Sequence, residues 1–284
     1  MAVPSRVEPA SLPGRLPRAL RSVAFLVVYA LYLVFFFGLV QRLLIWPLTL
    51  LFRKRRTAIV GAWFELLANT TLGLARGLGG VRLEILGSVP PGSSVAVMNH
   101  QSLLDIPIIY SLVTRPYPLI PTRARYKWGI PGVSLLLRLA RHPFVRQTSE
   151  SRRRDVVAIA RAAEQVAAGE LSILIFPEGH RSRDGEIGPF MKAGLRTILT
   201  RAKRPVWALV VDGFWGSRTT LDSLFNFAGM NGRLRVLGPF PAPAAAGLDA
   251  FLEELRRQMV LALREMRGGA GAPSASAVSA RAAE

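Results

Sequence analysis

Val95-Ala96-Val97-Met98-Asn99-His100-Gln101-Ser102-Leu103-Leu104-Asp105 is the stretch on which the fold turns. Its short apolar run suits a strand covered on both faces, as in a parallel sheet packed between helices. Ligands of such sheets gather beyond the carboxyl ends of the strands, and His100 stands at that end. A neutral imidazole accepts a proton near neutral pH. A carboxylate that takes the hydrogen on its other nitrogen fixes the tautomer and stabilises the imidazolium. His100 is therefore the candidate base and Asp105 its orienter.

A second stretch has the same form. Leu171-Ser172-Ile173-Leu174-Ile175-Phe176 reads as a buried strand and ends in Pro177-Glu178-Gly179-His180-Arg181-Ser182. Gly179 permits a tight turn or a close backbone approach, and Arg181 offers a planar fork of donors suited to phosphate. Either loop alone is also compatible with a solvated surface turn. The expected fold is α/β, a mostly parallel sheet flanked by helices, with an N-terminal membrane helix.

These residues resemble the glycerolipid acyltransferases that act on 1-acylglycerol 3-phosphate. His100 and Asp105, preceded by Asn99, are similar to the family's His-x-x-x-x-Asp block. Phe176 through Ser182 is similar to the Phe-Pro-Glu-Gly-Thr-Arg-Ser block, with His180 in place of threonine. Ala140 through Arg146 resembles a block ending in arginine, with Ala140 where glycine is usual, and Pro205 through Val210 resembles the last block, with Ala208 in place of proline. Pro189 through Gly194 also fits the family, and the likeness runs from Val81 to Val211. The resemblance implies transfer of a fatty acyl group from an acyl thioester, acyl-CoA or acyl carrier protein, to a lysophospholipid. It makes His100 and Asp105 catalytic, and Arg146, Glu178, Gly179 and Arg181 the acceptor-binding residues. It implies neither a cofactor nor a metal. Another lysolipid acceptor, such as lyso-ornithine lipid, fits the same blocks.

Composition narrows the rivals. Lys+Arg 37 against Asp+Glu 18 gives a net charge of +19, which calls for an anionic partner, and 50% hydrophobic residues with a mean hydropathy of +0.30 favour anionic membrane lipids. No nucleic-acid module accompanies the basic residues, so no nucleic-acid partner is expected. The absence of cysteine removes an enzyme-bound thioester and thiolate metal sites. A metal-dependent phosphoesterase could use His100, Asp105, Glu178, His180 and Asp184, but no compact ligand motif joins them. Ser102 lacks the sequence of a nucleophile elbow, and His180 reads more as a structural residue than a phosphate ligand. A membrane-anchored scaffold that has kept the fold is the non-enzymatic alternative.

Along the chain, residues 1–21 form a basic lead-in in which Pro4, Pro9, Pro13 and Pro17 argue against a regular helix. Ser22 to Val40 is uncharged and near the length needed to cross a hydrocarbon layer of about 30 Å. After Gln41-Arg42, Leu43 to Phe52 is too short to span and reads as an interfacial or re-entrant arm closed by Arg53-Lys54-Arg55-Arg56, so that 22–56 is the membrane anchor. That basic cluster favours the cytoplasmic face. The catalytic domain is expected over 57–267. Within it helices are read at Thr57–Leu78, Ile106–Val113, Asp155–Glu170, Phe190–Ala202 and Leu248–Met266, strands at Val81–Leu86, Val206–Val211 and Arg233–Leu237, and a disordered tail over 268–284.

Overall fold

The two diagnostic strands lie side by side. In the computed structural model, which describes residues 12–113, 115–217 and 226–268, β2 (Val95–Met98) pairs in parallel with β6 (Ser172–Ile175), Val97 opposite Ile175. Every residue of both strands is buried, which is why their sequences do not alternate. The sheet contains β1 (Arg82–Leu86), β3 (Pro118–Leu119), β7 (Val206–Asp212) and β8 (Asn231–Phe240) besides, in the order β1-β8-β7-β2-β6-β3. All pairings are parallel except β7 with β8, so the β1/β8 pair runs opposite to the other four strands. A small parallel pair, β4 (Thr122–Arg123) and β5 (Phe144–Val145), stands apart.

The helices are α1 (Leu12–Leu31), α2 (Gly38–Val40), α3 (Trp46–Leu51), α4 (Arg56–Gly77), α5 (Asp105–Leu112), α6 (Val133–Leu139), α7 (Arg152–Ala167), α8 (Lys192–Ala202) and α9 (Leu248–Gly268). The step from β2 through α5 to β3 crosses the sheet one way; the steps through α7 to β6 and through α8 to β7 cross it the other way. Right-handed crossovers therefore put α5 on one face and α7 and α8 on the other. The packing agrees: α5 lies on α4, where Phe64 stacks on Tyr110 at 4.0 Å, while α7 lies on α8. The Lys192–Glu253 and Arg196–Asp249 ion pairs hold α9 beside α8.

Two expectations for the amino-terminal segment are corrected. Leu12–Leu31 is helical despite the prolines, and Pro17 inside it deletes a single bond of the ladder. Nor does Gln41 interrupt the apolar helix, which runs on to Leu51 through two π-helical stretches, Tyr32–Phe37 and Gln41–Ile45. Gln41 is buried because its amide donates to Gly132 O at 2.8 Å and its oxygen accepts from Trp63 Nε1 at 3.1 Å. No fold-back occurs within Leu43–Phe52; the chain turns at Arg53–Arg55 into α4.

Residues 17–51 and 53–77 are each long and apolar enough to cross a membrane, with mean hydropathy 2.7 and 1.3. Both helices are nevertheless tied to the rest of the fold near both ends: Arg18 donates to Ala228 O and Gln41 to Gly132 O from the first, while on α4 Arg56 donates to Leu139 O and Gly79, just past its end, accepts from Gly229 N–H. The long helix leaves Val27, Leu31, Phe35, Leu39 and Leu43 exposed at a four-residue spacing, with Val28, Val34, Phe36, Leu44, Trp46 and Leu50 exposed beside that stripe, so that a broad apolar surface is uncovered. Residues 1–11 of the expected lead-in and 269–284 of the expected tail lie outside the described residues.

His142, between α6 and β5, fixes the layer under α5. Ile120 N–H donates to its Nδ1 at 2.9 Å, so Nε2 carries the hydrogen and donates to the Tyr110 hydroxyl at 3.1 Å, which donates to Pro118 O at 3.2 Å. Burial, only partly offset by hydrogen bonding to Ile120, drives its pKa down to about 4. An unfolded chain takes up this proton below its ordinary pKa of about 6.5 while the folded one does not, so stability falls with pH through that window, by up to about 1.4 kcal/mol per unit. Thermal unfolding followed from pH 7 to pH 5 is expected to show a falling midpoint. H142Q, less stable at pH 7, is expected to show a flatter fall.

Candidate active site

The catalytic edge of the sheet is where β2, β6 and β7 end. Asp105, the first residue of α5, returns its carboxylate beneath His100, and His100 Nδ1–H donates to Asp105 Oδ2 at 2.7 Å. The same oxygen accepts from the backbone N–H of Gln101 at 2.7 Å and of Ser102 at 2.9 Å. Asp105 is fully buried, whereas the His100 side chain keeps 17% of its surface open. Phe176 stacks on the imidazole with centroids 4.1 Å apart and sets the ring plane. With Nδ1 committed as donor, Nε2 carries the lone pair, and it makes no hydrogen bond among the described residues. The five-residue spacing thus produces the arrangement expected of a base and its orienter.

The second block grips the first by its backbone. Glu178, 3% exposed, accepts from His100 N–H at 3.3 Å through one oxygen and from Gly188 N–H at 3.0 Å through the other. Burial raises its pKa, and the hydrogen bonds from Gly188 and His100 oppose that rise. Ser182 N–H donates to His100 O at 2.7 Å, so both backbone polar groups of His100 are held by the Glu178–Ser182 loop. Gly179, at φ +72°, makes the turn between them, and a Cβ there would run into the Met191 sulfur. From the other side Asn99 exchanges two hydrogen bonds with Val211 of β7, each 2.8 Å, and Gln101 accepts from Phe214 N–H at 3.0 Å.

The arginines are distributed unequally. Arg181 is half-buried and directly precedes the Ser182 that bonds His100, which brings its backbone beside the base. Arg146 follows β5, its N–H held by the Asp155 carboxylate at 3.1 Å, with its side chain exposed; no hydrogen bond links it to the His100 loop. Arg123 supplies the connection. It pairs with Val145 in the small sheet and donates to Gly179 O at 3.4 Å, so the Arg146 segment and the Glu178 loop are neighbours through it. In the sequence Arg123 is one basic residue among many, and only the pairing of β4 with β5 marks it out. His180 is exposed, with Nδ1 3.3 Å from Arg181 O. Ser102 is buried and its hydroxyl oxygen accepts from Leu104 N–H at 2.9 Å, a turn-stabilising duty rather than that of a nucleophile. Among the described residues no group of three or more His, Asp or Glu could hold a metal ion, because the carboxylates of Asp105 and Glu178 are taken up by His100 and by backbone N–H groups.

An oriented proton acceptor, His100, thus stands beside an arginine-bearing loop at one edge of the sheet. The sequence model of the Acyltransferase family matches residues 80–212, which contain all these groups. The chain is 26% identical to human 1-acyl-sn-glycerol-3-phosphate acyltransferase alpha over 200 residues, covering 67% of this chain and 68% of that protein. It is 28% identical over 134 residues to the 1-acyl-sn-glycerol-3-phosphate acyltransferase of Helicobacter pylori, covering 47% and 54%. The crystal structure of the acyltransferase PlsC from Thermotoga maritima superposes with a TM-score of 0.68 at 19% identity, over 91% of this chain and 99% of that one, and shares the fold. Over residues 80–212 the chain is thus similar to the Acyltransferase family, and over its length it shares the fold of PlsC.

Proposed function

We propose that this enzyme transfers a fatty acyl group from an acyl thioester, acyl-CoA or acyl carrier protein, to the free hydroxyl of 1-acyl-sn-glycerol 3-phosphate, giving phosphatidic acid. The observation that carries this reading is the His100–Asp105 pair at 2.7 Å, set against a loop whose Arg181 is two residues past the turn at Gly179. His100 Nε2 removes the hydroxyl proton as the oxygen attacks the thioester carbonyl carbon. The tetrahedral intermediate collapses with cleavage of the C–S bond, and the leaving thiolate takes the proton from the imidazolium. Asp105 holds the ring and balances its charge. Glu178 and Gly179 shape the acceptor pocket by fixing the loop, and Arg181 and Arg146 bind the acceptor phosphate.

The apolar stripe of the long helix suits a chain that lies against a membrane. Because that helix and α4 are both pinned to the domain near their two ends, the stripe would enter the cytoplasmic leaflet with the domain at its surface, and the basic turn Arg53–Arg56 would meet anionic headgroups. The acceptor is itself a membrane lipid, so such an enzyme meets it without drawing it into water.

The test is an acceptor panel. Lysophosphatidate is expected to be acylated with a kcat/KM at least about 100-fold above that of monoacylglycerol. R181Q is expected to raise KM for the phosphorylated acceptor by about 10- to 100-fold, the range of a lost charged hydrogen bond, with a smaller rise for R146Q and little change with monoacylglycerol. Equal rates with and without phosphate would remove the arginines from acceptor binding. Preference for lyso-ornithine lipid would reassign the substrate.

A further inference from the structure

Helix α9 lies beyond the stretch Val81 to Val211 that carries the sequence likeness, yet two of its arginines hold the backbone at the catalytic edge. Arg256 is half-buried and spreads its fork over two successive carbonyls: Nε donates to Gly188 O at 2.9 Å and Nη2 to Ile187 O at 3.0 Å. Arg267, about three turns further along, donates to Gly185 O at 2.8 Å and pairs with the Glu186 carboxylate. The 185–188 segment belongs to no helix or strand, so side chains must satisfy its backbone. Ser182 Oγ donates to Glu186 O at 2.9 Å and accepts from Gly185 N–H at 2.9 Å, while the Glu178 carboxylate accepts from Gly188 N–H.

Gly188 is where this clamp meets the chemistry. Arg256 holds its carbonyl and one oxygen of Glu178 holds its N–H, while the other oxygen of Glu178 holds His100 N–H at 3.3 Å. Glu178 is buried, and a carboxylate taken out of water keeps its charge and its aim only while its donors stay in place. Movement of the 185–188 segment would withdraw one donor and free Glu178 to swing off the His100 amide. Arg267 braces the other side of the base: its guanidinium bonds both oxygens of Asp212 at 2.9 Å, Asp212 Oδ1 accepts from Gln101 Nε2 at 3.2 Å, and Gln101 N–H donates to Asp105 Oδ2. The Arg196–Asp249 pair, which ties the same helix to α8, is exposed and bonds no residue of either loop. We propose that Arg256 is a positioning residue for acyl transfer: by holding Gly188 it keeps Glu178 on the His100 amide and so keeps Nε2 aimed at the attacking hydroxyl. The role presupposes His100 as the base of the reaction and adds a group that acts through the loop rather than on a substrate.

The experiment uses the full chain in phospholipid vesicles with lysophosphatidate and whichever acyl thioester donor it turns over, and follows steady-state kinetics together with amide hydrogen exchange. R256M keeps the bulk and removes the fork. It is expected to lower kcat by about 10- to 30-fold, less than the roughly 100-fold of a 1 Å misplacement, with KM for acceptor and donor moving by less than about 3-fold. Exchange is expected to quicken both in 185–190 and in 98–102, where the Gly188 and His100 amides lie. R256K, with one donor head for two carbonyls, is expected to recover part of kcat. D249N loosens α9 from α8 and is expected to leave kcat and both segments unchanged. In E178Q the lone amide oxygen can serve only one of the two N–H groups, so adding R256M to E178Q is expected to cost less than about 3-fold more. Wild-type kcat in R256M, a loss confined to KM, an equal fall in D249N, or full multiplication of the R256M and E178Q losses would each overturn the proposal. A wild-type chain inert toward lysophosphatidate would defeat the functional reading instead; the exchange comparison still decides the positioning, because unchanged exchange of 98–102 in R256M would show that Arg256 does not hold the His100 amide.

Discussion

H100A is expected to lower kcat for acyl transfer by about 10⁴-fold, the upper range for loss of a positioned general base, while the protein still floats with lipid vesicles. The size of the effect follows from the absence of a substitute. Nε2 is the site's open proton acceptor; the Asp105 carboxylate is fully buried beneath the ring, and Glu178 is occupied by two N–H groups. Membrane association is expected to persist because the long helix is fastened by Arg18, Arg21 and Gln41, none of which bonds the catalytic loop. Removal of the imidazole takes one of three donors from Asp105 Oδ2 and leaves Gln101 N–H and Ser102 N–H in place, so the loop is expected to keep its shape. Single-turnover acyl transfer and vesicle flotation measured on the same preparation check both halves. Near-native turnover in H100A would remove the base from the mechanism.

What the sequence makes legible here is local, and what it hides is long-range. The buried strands announce themselves by uninterrupted apolar runs, and the histidine and aspartate by a spacing that a strand-to-helix turn can close. That these two strands are neighbours is a matter of topology, and so is the clamp of Glu178 on the His100 amide, 78 positions away. Gln41 looks like a helix interruption because a buried amide is costly without partners; its partners, Gly132 and Trp63, are 91 and 22 positions off. Arg123 is hidden for the same reason: two-residue strands have no periodicity to read, and only their pairing puts it against Gly179. β8 is visible only as Arg233–Leu237, and its place between β1, to which it is parallel, and β7, to which it is antiparallel, reflects the packing of the whole sheet.

The two ways of removing the Asp105 charge are expected to give different results, and the difference separates electrostatics from architecture. All three donors converge on Oδ2, while Oδ1 is buried with no partner among the described residues. An asparagine in D105N can place its single oxygen where Oδ2 is and its amide nitrogen where Oδ1 is, keeping the tautomer of His100 and the two backbone bonds. It loses the negative charge that favours the imidazolium in the transition state, and a fall in kcat of about 10²-fold is expected, at the lower end for impaired base catalysis. D105A takes away the acceptor itself. Gln101 N–H and Ser102 N–H then remain buried without a partner at about 1–3 kcal/mol each, and the ring is no longer held. The expected outcome is a fall in kcat of about 10⁴-fold together with a lower thermal midpoint, whereas D105N should move the midpoint far less. If D105N and D105A lost activity equally at equal stability, the carboxylate would act through charge alone and the convergence of three donors on one oxygen would have no catalytic consequence.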